Sequence, residues 1–566
     1  MPMSSPADAA IATILRKTAL FSDAQVDQVL AADRSDGAGM VAAIVRLGVA
    51  KEDELLQKLA PVLGLTYTAL DKAEPEAEAV QKLAARAVYQ YRVMPIRLAG
   101  GVLTVAASDP FNIGMTDGLR LAAGGPVRIT LSTSDAIEKA SRKHYGVGAE
   151  TVERMISDGR YELDTSEATI SKMDLSDMGQ EASIVRFVNQ IIAEADRQGS
   201  TDIHFEPMEE ELRIRYRIDG VLHKVDVPLQ LNRLKAAILS RLKVMANLDI
   251  AEKRMPMDGR IGIRLGGEDI DIRVSTMPTV YGESISLRLL QKSGNFVRLP
   301  DLGMGPREQH QVEKLIQRPN GILLVTGPTG SGKTTSLYAF LHEINTMDVR
   351  ILTVEDPIEY EMGGINQVLV RQDIGLTFAR VLRSFLRQDP DIIMVGEIRD
   401  AETAEIAINA SLTGHLVFST LHTNDAAGAF ARLIDMGVEP FLVASAVAAV
   451  MAQRLVRRLC PHCRATEPLD MAMWNNPVPP PSQQVFTAVG CERCTTTGYR
   501  GRRGIFELLP VTDAVESLII NRRSSNEIKA AAVAAGMRTL RDDGWDKIFN
   551  GTTTVEEVIR ATEENE

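Results

Sequence analysis

Ile322-Leu323-Leu324-Val325-Thr326 runs straight into Gly327-Pro328-Thr329-Gly330-Ser331-Gly332-Lys333-Thr334-Thr335, and a helix-forming stretch continues to Glu343. An apolar strand, a glycine-rich turn and a helix N-terminus in that order read as a phosphate-binding loop inside an α/β domain. The glycines let backbone N–H groups turn inward around phosphates. Lys333 is placed to reach the β- and γ-oxygens, and the Thr334 hydroxyl is placed to ligate Mg²⁺. The pattern predicts a nucleoside triphosphate site, with Thr335 closing the set of binding residues.

Two further apolar runs end in acid. Ile351-Leu352-Thr353-Val354 is followed by Glu355-Asp356, and Ile392-Ile393-Met394-Val395-Gly396 by Glu397. Strand C-termini in an open α/β sheet converge on the ligand crevice, so these carboxylates are placed to meet Mg²⁺ and the attacking water. Leu416-Val417-Phe418-Ser419-Thr420-Leu421 is another core-like strand, bracketed by His415 and His422, two of the chain's eight histidines. Either they sense γ-phosphate charge or they are satisfied structural histidines.

All four cysteines fall in two C-x-x-C pairs, Cys460/Cys463 and Cys491/Cys494. Two such knuckles can converge four thiolates on one Zn²⁺, the other reading being free buried thiols; the long gap between them can be absorbed by the loop carrying Pro477, Pro479, Pro480 and Pro481.

The 566 residues predict several domains, and a 45% hydrophobic content supplies real cores. The longest apolar run, residues 441–452, is too short to span a bilayer, and residues 1–16 lack the pattern of a signal peptide, so a cytoplasmic address is expected. A formal charge of −12 argues against a general nucleic-acid coat. Residues 1–148 read as a small α+β domain, 149–180 as an acidic, flexible linker, 181–297 as a second α+β domain, and 298–566 as the nucleotide-binding domain with a four-cysteine insert at about 457–500. In the second domain, Arg213, Arg215 and Arg217 alternate with Ile214, Tyr216 and Ile218 before an Asp219-Gly220 turn, which predicts a hairpin. Arg273 and Arg288 lie in similar alternations, so one sheet face is expected to be positive, either as a solvated surface or as a phosphate-facing one.

Taken together, the loop, residues 351–360, residues 391–400 and residues 414–424 resemble the Walker A, aspartate, Walker B and histidine boxes of the secretion ATPases, the hexameric motors of type II secretion and type IV pilus systems. The resemblance runs from about residue 183 to 559 and includes the cysteines. It implies a RecA-like ATPase domain, a preceding PAS-like α+β domain, and a chain that uses ATP, Mg²⁺ and Zn²⁺. It further implies that Glu397 activates water, that Glu355 and Asp356 form the second acidic element, that His415 and His422 belong to the histidine box, and that Arg273 and Arg288 reach the nucleotide. Val274-Ser275-Thr276-Met277-Pro278 and Met436-Gly437-Val438-Glu439-Pro440 look more like the type II motor than the pilus-extension motor. A homo-hexamer at the inner membrane, docked on secretion-platform proteins through its first domain and with peripheral membrane contact, is the implied setting. Two other readings remain: a nucleic-acid translocase using the basic cluster Arg454, Arg457, Arg458 and Arg464, and a nucleotide-dependent scaffold, against which the intact Glu397 and Glu355 count.

Overall fold

A computed structural model describes residues 6–31, 39–70, 73–112, 114–157, 175–265, 268–291, 297–474 and 478–563. They fall into two compact units, Met1–Leu290 and Gln291–Glu566.

The first unit begins with helices Pro6–Lys17, Asp23–Ala31, Met40–Arg46 and Glu52–Val62, closed around Leu15, Val26, Ile44, Leu55 and Leu59. Strands β1 (Val93–Ala99), β2 (Val102–Ala107) and β3 (Val127–Leu131) follow in that spatial order, β1 antiparallel and β2–β3 parallel. A second sheet holds β4 (Ser200–Pro207), β5 (Leu212–Ile218), β6 (Val221–Lys224), β7 (Met257–Leu265), β8 (Glu268–Thr279) and β9 (Gly282–Gln291), in the order β6-β5-β4-β9-β8-β7. Its apolar face, with Ile203, Phe205, Ile214, Tyr216, Ile272 and Leu287, packs with Phe187, Val188 and Ile191 of helix Leu175–Arg197. The expected hairpin forms: Asp219 and Gly220 both take positive φ, 48° and 86°, as a two-residue turn between β5 and β6 requires.

The stretch expected as a flexible linker differs from that expectation at its start. Ala149–Ser157 is a helix whose Val152 and Met155 are buried with Phe187 and Ile191, and the Val147 amide donates to the Asp226 carbonyl (2.8 Å). Its acidic residues hid an apolar pair spaced for one helix face. The rest of that stretch, 158–174, and the expected break at 292–295 lie outside the described residues. The expected blocks 1–148 and 181–297 both begin within the first unit, which ends at Leu290.

The second unit is built on β10 (Gly321–Thr326), β11 (Ile351–Glu355), β12 (Asn366–Leu369), β13 (Ile392–Val395), β14 (Leu416–Leu421), β15 (Val447–Leu459) and β18 (Tyr499–Pro510), in the order β12-β11-β13-β14-β10-β15-β18. All pairings are parallel except β15–β18. Every residue of β10 is buried, and each large apolar side chain there contributes about 1.5–3 kcal/mol. β14 and β15 flank β10 in parallel, so β10, β14, β13 and β11 present their C-terminal ends along one edge. The apolar run at 441–452 divides between helix Pro440–Ala446 and β15. Between the antiparallel β15 and β18 the chain makes an excursion containing the cysteines and the two-stranded β16 (Ala465–Pro468) and β17 (Gln484–Thr487). Helices Asp513–Ile520, Ser525–Ala534, Leu540–Phe549 and Val555–Thr562 complete the unit; side-chain caps Ser524, Thr539 and Thr554 start the last three. No helix among the described residues is long and apolar enough to cross a membrane.

Candidate active site

The loop after β10 is shaped by close approach to β15. A Cβ on Gly327 (φ 148°) would lie 2.5 Å from the Gln453 carbonyl oxygen, and one on Gly332 (φ 89°) would lie 2.8 Å from Gln453 Nε2. Glycine is required at both. Gly332 is the N-cap of helix Lys333–Ile344, so free N–H groups and the positive helix end face the loop's interior. The Lys333 ammonium donates to the Gly327 and Pro328 carbonyls (2.7 and 3.1 Å). Burial pulls its pKa down to about 8, with Arg454 adding to the fall and Glu397 opposing it. The Ser331 hydroxyl oxygen is buried without a protein partner. A glycine cradle, an unsatisfied buried hydroxyl and a lysine bonded only to loop carbonyls fit a bound polyphosphate, with Thr334 at the first helical turn positioned for its Mg²⁺.

Glu397 follows β13 on the same edge. Its carboxylate pairs with Arg399 (2.6 Å) and lies 3.5 Å from His422 Nε2. Burial lowers the His422 pKa, Lys333 lowers it further, and Glu397 works against both. Thr423 fixes the start of the loop after β14, its amide donating to Thr326 Oγ1 (2.9 Å) at the end of β10. Lys333, Glu397 and His422 are thereby brought together.

Glu355 ends β11 on this edge but is buried and committed: Tyr338, Thr353 (2.6 Å) and Gln367 (3.0 Å) all donate to its carboxylate. Asp356 is exposed. His415 stands apart. It precedes Leu416, so the six residues of β14 separate it from His422 by roughly 20 Å, and its ring donates to the Ala410 carbonyl (2.8 Å) at the end of helix Ala401–Leu412. Bracketing a strand places two residues at opposite sheet edges, so His415 is not brought to the phosphate loop.

The type II/IV secretion system protein family matches residues 177–560, and the MshEN domain family matches 63–151. This chain belongs to the type II/IV secretion system protein family. The type IV pilus assembly ATPase PilB of Myxococcus xanthus is 41% identical over 97% of this chain and 98% of its own length. The type II secretion system protein E of Xanthomonas campestris pv. campestris is 41% identical over 93% of this chain and 94% of its own. HxcR, a type II secretion system protein of Pseudomonas aeruginosa, is 52% identical over 69% and 79%. The Legionella pneumophila ATPase DotB shares the fold, with a TM-score of 0.50 and 22% identity over 67% of this chain and 96% of that one. The chain is a secretion-system ATPase, an ATP hydrolase whose family uses nucleotide and Mg²⁺.

The polar face of the six-stranded sheet is not uniformly positive. Asp202, His204 and Glu206 alternate along β4, so Glu206 pairs with Arg213 (2.8 Å) and Arg215 (2.5 Å), and Asp202 with Arg217 (3.7 Å) and Arg288 (2.9 Å). Arg288 is 61% exposed despite its partner; Arg273 sits on β8 opposite Arg260. The expectation of a positive face missed that β4 brings its own acids into register.

The four cysteine sulfurs lie within 4.8 Å of one another, which fits one tetrahedral metal ion. Burial pushes the Cys494 thiol up, but amides of Cys491 and Gly498 donate to it (3.1 and 3.2 Å) and bring it down to about 7. The insert is docked on the C-terminal helices: Trp474 stacks edge-on against Trp545 (4.8 Å), and Arg464 donates to the Gly551 carbonyl (2.6 Å).

Arg399, Tyr338 and Gln453 escaped sequence reasoning. Arg399 lies within the quoted Walker B stretch and was readable there; Tyr338 and Gln453 reach the site only through tertiary packing.

Proposed function

We propose that this chain is the ATP-driven motor of type II secretion. The convergence of Lys333, Glu397 and His422 at one sheet edge supports the chemistry. Lys333 leaves its loop carbonyls for the β- and γ-phosphates, whose charge holds its proton more tightly, and loop amides hold the remaining oxygens. Thr334 and Asp356 would hold the Mg²⁺, which would neutralise phosphate charge, and Glu355, bound by Tyr338, Thr353 and Gln367, would complete the acidic element from behind. Glu397 accepts a proton from the attacking water, and Arg399 and His422 orient the carboxylate. Arg273 and Arg288, from residues 181–297, clamp the phosphates in the closed state, and their release after hydrolysis makes chemistry into domain motion. A homo-hexamer delivers that motion to inner-membrane platform proteins, which residues 1–148 contact from the cytoplasmic side. Cys460, Cys463, Cys491 and Cys494 hold a structural Zn²⁺.

Identity of up to 52% to type II secretion proteins supports this branch. Pilus extension is the second reading, favoured by the PilB relative that matches 97% of the chain. A direct nucleic-acid role has less support: Arg457 is bound to Glu557 (2.8 Å), Arg464 to Gly551, and Arg454 is buried. A Glu397→Gln allele in the native host tests the choice. Loss of exported proteins with surface pili intact is expected; loss of pili with export intact contradicts the proposal.

A further inference from the structure

Residues 423–426, which follow His422, are each held by a different element. Thr423 bonds Thr326 of β10; the Asn424 carbonyl accepts from Arg454 Nη2 (2.7 Å) of β15; Asp425 pairs with Lys529 (3.3 Å); and the Ala426 amide donates to Glu507 (3.0 Å) of β18. Like Thr326, which precedes Gly327, Arg454 adjoins the phosphate loop, and of the four supports it alone brings a cation there. Its Nη1 donates to the Gln453 carbonyl (3.1 Å) and would lie 3.1 Å from a Cβ on Gly327, while Gln453 Oε1 accepts from Ser336 (2.8 Å) of the helix that follows the loop. Arg454 is 5% exposed, a guanidinium buried in β15 next to Gln453. Burying such a charge is expensive, so the fork must do something a hydrophobic residue cannot.

We infer that Arg454 is a positioning residue that locks the phosphate loop to the His422 loop, so that Lys333 and the His422–Glu397 pair hold one geometry. One guanidinium nitrogen is committed to each loop's support, which a lysine, with a single nitrogen, cannot reproduce. Its positive charge acts on Lys333 against the negative charge of Glu397; His422 and Arg399 surround Glu397 in turn. Arg454 therefore helps keep the lysine's proton loosely held until phosphate arrives. The inference rests on the reading that Lys333 binds the nucleotide phosphates.

The test is steady-state ATPase activity of the full chain from neutral to alkaline pH for Arg454→Gln and Arg454→Lys, with Lys333→Ala assayed for nucleotide binding. Arg454→Gln should lower kcat about tenfold and move the alkaline limb of kcat/KM to higher pH, because a cation beside Lys333 is gone. Arg454→Lys should lower kcat and leave that limb in place. A Gln variant with the parent's limb reduces Arg454 to a structural residue and overturns the inference, as does parent-like kcat in either variant. Circular dichroism checks folding; if the Gln variant does not fold, the Lys variant decides, a lowered kcat supporting the inference and a parent-like one overturning it. Nucleotide binding retained in Lys333→Ala refutes the site reading itself, whereas binding lost there with parent-like Arg454 variants refutes this inference alone.

Discussion

On the six-stranded sheet, Arg213 and Arg215 share Glu206 while Arg217 and Arg288 share Asp202; on the C-terminal edge of the seven-stranded sheet, Lys333, Arg399 and His422 gather around Glu397, with Arg454 beside Lys333. Both regions are rich in cations. In the first, a neighbouring strand supplies acids in register, so charge is met across a solvated face where each pair is worth little, about 0–1 kcal/mol. In the second, Lys333 and Arg454 are buried while Arg399 and His422 are more open, and burial, with neighbouring cations adding to it, lowers the lysine to about 8 and depresses the histidine. A buried lysine held only by loop carbonyls, not charge density, marks the place prepared for an anion.

Lys333→Ala is the largest perturbation of the second region: nucleotide affinity should fall about 10²-fold or more, read by calorimetric titration. A small change would mean the cation excess is not directed at phosphate. If the cysteines hold the proposed Zn²⁺, its removal with a strong chelator should come next, lowering stability by several kcal/mol, about 3 or more. Trp474 and Trp545, the chain's two tryptophans, report it by fluorescence as the insert leaves the C-terminal helices. His422→Ala should reduce kcat about tenfold, while His415→Ala should leave kcat unchanged and cost about 1 kcal/mol of stability through the lost bond to Ala410. Equal loss of turnover in both would erase the distinction between the two ends of β14.

Arg288→Ala sharpens the comparison from the other side. If the guanidinium leaves Asp202 for the nucleotide, ATPase activity falls severalfold, about 3- to 10-fold, with folding intact; parent-like turnover returns it to a surface pair. The pH response should be smaller still near neutrality. The cationic lysine is the binding form, its pKa in the free site is about 8, and kcat/KM should therefore decline as pH rises through that value.

The phosphate loop was legible because its chemistry is local: glycines, lysine and threonine act from consecutive positions, between a strand and a helix that adjacent residues encode. The cysteine cluster was legible for a related reason, since no other residue pattern brings four thiols together. Pairing between distant strands was not. That β4 neutralises the arginines of β5 and β9 depends on register across 86 residues for Asp202 and Arg288, and nothing near Arg288 announces it. His415 and His422 looked equivalent because a strand's two ends are close in sequence and far apart in space. The helix at Ala149–Ser157 was obscured by its charged face, and Arg454 by neighbouring arginines that face other partners.

The central claim is that Glu397, beside Lys333 and His422, activates water on a bound nucleotide. Purified Glu397→Gln protein, assayed for nucleotide binding and for ATP turnover in the same preparation, tests it most directly. Parent-like affinity with turnover reduced about 10²-fold or more is the predicted result; turnover near that of the parent chain would contradict the claim and assign the proton transfer to another group.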